Sequence, residues 1–145
     1  MLSDVLPPTR TMTLQASGAQ TATNDGSSNA VTRIPSCEAI AFELDVTAAA
    51  TDAGDLLDVF VQTTIDGTNY VDIAHFTQVL GNGGAKRYFT KVIASVATAE
   101  FENATALGAA AVRNLMGIDY RVRWTVTDAG TDNASWTFAV YATPM

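Results

Sequence analysis

The chain has 145 residues, 48% hydrophobic and 16% charged, with a formal net charge of −7. Two lysines (Lys86 and Lys91) and six arginines form no basic run, so nucleic acid, whose binding needs clustered cations, is not an expected partner. No apolar run reaches the length of a membrane-spanning helix, and no basic-then-apolar leader opens the chain, so neither a membrane partner nor Sec export is expected.

The length suits one domain with a substantial core. The expected organisation is an extended N-terminal arm over residues 1–10 and a single β-sandwich domain over residues 11–145. Pro7 and Pro8 favour an extended path, and Leu2, Val5 and Leu6 are apolar on a segment too short to bury them itself. Residues 11–17 read as a first strand, with Met12, Leu14 and Ala16 on one face. Residues 18–30 are small and polar and read as a long loop or loose hairpin.

Next comes the clearest pattern in the chain. Ile40, Phe42, Leu44 and Val46 alternate with Ala41, Glu43, Asp45 and Thr47, the period of a strand with one buried and one wet face. Leu57, Val59, Val61 and Thr63 repeat it against Asp58, Phe60, Gln62 and Thr64. Asp66-Gly67 is a hairpin signal, and residues 69–76 form the return strand. A glycine-rich turn at residues 81–84 leads to a strand over 87–96.

Residues 98–114 are rich in alanine, but Gly108 interrupts them and no amphipathic face emerges. They read as a surface excursion with one helical turn at most. Tyr120, Val122, Trp124 and Val126 then alternate with polar residues, as do Trp136, Phe138 and Val140. The turn at 128–132 between them suggests a C-terminal hairpin. The sum is an all-β chain, an antiparallel β-sandwich or jelly roll of about seven or eight strands.

Signals for chemistry are sparse. His75 is the only histidine and Cys37 the only cysteine, so no intrachain disulfide forms, and each is read as structural. Asp52, Asp55 and Asp58, like Asp128 and Asp132, sit in or beside turns. Aspartates that bond turn backbone explain them more simply than calcium does. No phosphate loop, dinucleotide fingerprint or nucleophile elbow occurs. No catalytic residue, metal site or cofactor is expected, and the chain is read as a binding protein rather than an enzyme. Phe60, Tyr70 and Tyr141 are aromatics that a carbohydrate-binding module could use if exposed.

The run from Leu57 through Asp66-Gly67 to Phe76 resembles small structural proteins of tailed bacteriophages, as do Tyr120–Val126 and Trp136–Val140. The resemblance covers residues 40–142 and lies in strands and hairpins, with no catalytic motif. It implies a virion component, best a capsid decoration (cement) protein that sits as a trimer on the lattice and reinforces it. Major capsid protein and further copies of the chain are then the partners, on the capsid surface after assembly in the host cytoplasm. A tail or head-completion role and a carbohydrate-binding module are the alternatives. The contact residues expected on this reading are Leu2, Val5, Leu6, Pro7 and Pro8 of the arm and Phe101, Leu107, Leu115 and Met116 of the excursion.

Overall fold

Ten strands among the described residues, 11–145 of a computed structural model, place the alternating residues on two facing antiparallel sheets. The arm residues Leu2, Val5, Leu6, Pro7 and Pro8 lie outside the described residues. The strands are β1 (Met12–Gln20), β2 (Thr32–Arg33), β3 (Ala39–Ala48), β4 (Leu56–Thr64) and β5 (Tyr70–His75), then β6 (Val79–Leu80), β7 (Lys86–Ile93), β8 (Ala111–Val112), β9 (Asp119–Thr127) and β10 (Trp136–Pro144). One sheet has the order β1-β10-β3-β7; the other has β2-β9-β4-β5-β8, with β6 on β4. The architecture is a β-sandwich.

The apolar phase of each long strand points between the sheets. Ile40, Leu44 and Val46 from one side and Leu57, Val59 and Val61 from the other are fully buried. Each such side chain stabilises the fold by about 1.5–3 kcal/mol. Trp124 meets Phe138 edge to face across the layer, with ring centres 5.3 Å apart.

Four details depart from the sequence reading. β1 runs on to Gln20, because Gly18, Ala19 and Gln20 pair with Phe138, Thr137 and Trp136 of β10. Register shifts in β1 reset its alternation, so Leu14 is buried while Ala16 is exposed rather than facing the core. β7 ends at Ile93, not at residue 96, because the Asn114 side chain takes the Ile93 N–H and the chain turns with Val96 N–H on the Ile93 carbonyl. The fourth is the C-terminal hairpin, which is not formed. β9 pairs with β4 and β2, while β10 pairs with β1 and β3 in the opposite sheet. The 128–132 turn is therefore a corner between layers, and Trp124 and Trp136 enter the core from opposite sides.

The alanine-rich excursion carries no helix. Ala110 has a φ of 58°, a left-handed conformation that ends any helical run, and only Ala111–Val112 pair, with β5.

Candidate functional site

Three adjacent strands carry their polar phase onto one outward face. β4 is central and supplies Asp58, Phe60 and Gln62; β5 supplies Asp72 and His75, and β9 supplies Arg121 and Arg123. The register sets Phe60 directly between Arg123 and His75. The Arg123 guanidinium carbon is 3.7 Å from the Phe60 ring centre, and the His75 ring stacks at 3.9 Å. Two groups that close must occupy opposite faces of the ring. Arg123 also holds Asp72 through both carboxylate oxygens, with Nε 2.7 Å from Oδ1. Gln62 donates to Asp72 at 3.0 Å and accepts from Arg121 at 2.8 Å, while Arg121 lies over Tyr70 at 3.9 Å.

His75 ties this face to the excursion. Its Nδ1 is 2.8 Å from the Leu107 carbonyl and its Nε2 is 2.9 Å from Asp58 Oδ1. Asp58 also accepts from Gln78 at 2.9 Å. Arg113 makes a second tie, to the carbonyls of Asp72 at 3.1 Å and Thr105 at 2.7 Å, under the ring of Phe101. The seam is thus internally satisfied: each carboxylate meets its donors within the chain. Phe60 is 8% exposed, so the outward phase of β4, expected to be wet, is instead covered. Of the aromatics proposed for sugar stacking, Phe60 has both faces taken and Tyr70 has one. Tyr141 lies partly exposed on the other sheet.

Two of the turn aspartates, Asp52 and Asp55, bond a different turn from their own. Asp55, 1% exposed, accepts from the backbone N–H of Ala129 (3.0 Å) and Gly130 (3.2 Å), and Asp52 from that of Asp132 (3.1 Å). They fasten the corner between β9 and β10. No group of three or more His, Cys, Asp or Glu among the described residues could hold a metal. Cys37 packs at the edge of the core, and burial pushes its thiol pKa up, away from the reactive thiolate.

The expected contact residues of the excursion separate. Leu107 is at the polar seam, its carbonyl on His75. Phe101 and Leu115 come together at one end of the sandwich. There they line a cleft of about 510 Å³ with Ile65, Val71, Thr98 and the acidic rim of Asp66 and Glu100. Met116 lines an adjoining cleft with Ile34, Cys37, Ile118 and Tyr120. The same end gathers Ile65 (66% exposed), Ile118 (42%), Val96 and Met145. Residues 94–98 and 113–118 reach it because β7 stops at Ile93 and because Ile118 N–H bonds the Thr64 carbonyl beside Gly117. A Cβ on Gly117 would run into that carbonyl, so only glycine permits the approach. β1 also starts here, Met12 pairing with Ala142.

Sequence reasoning passed over Ile65, Ile118, Arg121 and Arg123. Arg121 and Arg123 stood in plain alternation, but their partners are on other strands. Ile65 and Ile118 sit beside turns, where an apolar residue carries no periodic signal.

No family model and no curated protein matches this sequence. Among solved structures, the chain is similar to the N-terminal endo-1,4-β-D-xylanase 10B of Clostridium thermocellum, described as its CBM22-1–GH10 modules complexed with xylohexaose. The identity is 12% and the TM-score 0.42, over 89% of this chain and 24% of that one. The chain therefore spans about a quarter of that structure's length.

Proposed function

We propose that this protein is a structural virion component. It binds the outer surface of a bacteriophage capsid and stabilises the shell by bridging neighbouring subunits, with other copies of itself as the second partner. The observation that carries the reading is the apolar end of the sandwich. Ile65, Val96, Ile118 and Met145 are exposed there beside the cleft of Val71, Phe101 and Leu115. An apolar surface gathered at one end marks an association site, whereas apolar residues scattered singly do not. The phage-like strand pattern of residues 40–142 names the assembly, and repetition over a lattice lets modest individual contacts hold. Binding, not catalysis, is the activity.

The test uses shells lacking the protein. Wild-type chain should attach and raise their melting temperature. Ile65→Lys combined with Ile118→Lys should fold but fail to attach, since both side chains are exposed and changes at exposed positions shift stability by only about 0.5 kcal/mol. A chain starting at residue 9 tests the arm in the same assay and should also attach less. Attachment of the apolar-end variant at wild-type level would defeat the reading.

A further inference from the structure

We propose that the free edge of β7 accepts an extended acidic segment of a partner protein as an added strand. Among the described residues β7 ends its sheet and pairs only with β3. The phase of the ladder is set where Ala94 N–H bonds the Glu38 carbonyl at 2.8 Å. In an antiparallel pair the bonded residues alternate, so residues 88, 90 and 92 face β3, and Arg87, Phe89 and Lys91 turn their N–H and C=O groups to the open side. Ile93 confirms the phase: its N–H faces the open side and is taken by Asn114 Oδ1 at 2.8 Å. Asn114 closes that end of the edge, while the N–H groups of Arg87, Phe89 and Lys91 have no partner among the described residues.

The side chains define the occupant. Phe89 is 71% exposed, the most exposed large apolar residue described, and it stands between Arg87 and Lys91 on the same strand face. β7 carries both lysines of a chain whose net charge is −7. Arg87 leans on Asp45 at 3.3 Å, but Lys86 and Lys91 enter no ion pair among the described residues. Lysines on an edge guard against self-pairing, since two β7 edges would bring cation to cation. Guarding alone does not account for Phe89. A strand with acidic residues opposite Arg87 and Lys91 and an apolar residue opposite Phe89 satisfies all three positions, together with the backbone. The site is separate from the apolar end and does not depend on the capsid reading.

The probe is a blocked seven-residue peptide with a central valine, flanking aspartates two positions away on each side, and threonines elsewhere. Its lysine-for-aspartate counterpart and oligothymidylate serve as comparisons. Amide exchange at Arg87, Phe89 and Lys91 should slow about tenfold or more with the acidic peptide alone. Lys91→Pro removes one open-side N–H without touching the β3 ladder, and should abolish the protection. Lys91→Glu, which needs no backbone change, should reverse the preference toward the lysine peptide. Absence of protection, equal protection by the lysine peptide or by oligothymidylate, or unchanged protection in Lys91→Pro would each overturn the proposal.

Discussion

The guanidinium of Arg123 lies 3.7 Å from the ring centre of Phe60 while both oxygens of Asp72 grip it from the side. One cation thus joins β9, β4 and β5 across the outward face. The pair is largely shielded, with 25% and 14% of the Arg123 and Asp72 side chains exposed. Removing one partner of a shielded pair costs more than removing both, because a lone carboxylate stays desolvated. Arg123→Met should therefore destabilise the fold by about 2 kcal/mol in urea denaturation. Adding Asp72→Asn should recover part of that, with a coupling of about 1 kcal/mol in the double-mutant cycle.

His75→Phe separates stacking from clasping. The new ring still covers Phe60, but the bonds to the Leu107 carbonyl and the Asp58 carboxylate are gone. Amide exchange over residues 104–110 should accelerate while that of β3 and β10 stays near wild type, with a global loss of about 1–2 kcal/mol. Uniform acceleration across both sheets would show that His75 supports the core and not the excursion.

Asp66 should shape the acid limb of stability. The Asn69 backbone N–H, then the Asn69 side-chain amide and the Thr68 N–H, hold its carboxyl well below the ordinary value of 3.8. A carboxylate depressed in the folded state contributes stability above its unfolded value, and that contribution fades as pH falls from there through the folded value. Carbon-detected titration of Asp66 should show it still ionised where the unfolded chain is half protonated. Asp66→Asn should flatten this part of the stability–pH curve.

Trp124 and Trp136 differ in one hydrogen bond. Trp124 Nε1 donates to the Ala22 carbonyl at 3.0 Å, whereas the buried Trp136 Nε1 has no partner among the described residues. Phenylalanine at either site removes similar volume. At 124 it also breaks that bond, and at 136 it breaks none among the described residues. Trp124→Phe should be the costlier change by about 1–2 kcal/mol in thermal unfolding.

Much of the fold was legible because burial on one face writes a period of two into β3, β4, β9 and β10. Asp66-Gly67 was legible for a local reason: Gly67 has a φ of 82°, which glycine adopts freely. The C-terminal hairpin was misread because a short acidic turn looks the same whether it joins neighbours in one sheet or crosses between two. The bonds that decide it, from Ala129 and Gly130 to Asp55, span more than seventy residues.

The sequence by itself determined an all-β chain, the core-facing phases of β3, β4, β9 and β10, its lack of an intrachain disulfide and its acidic net charge, since each depends on residue type and near-neighbour spacing. Only the tertiary structure decided which strands lie side by side. That choice placed Phe60 between Arg123 and His75, drew Phe101 and Leu115 to the end where Ile65 and Ile118 are exposed, and left β7 as an edge strand among the described residues. Side-chain pairing across a sheet depends on register and strand order, which are long-range outcomes of packing two apolar faces together.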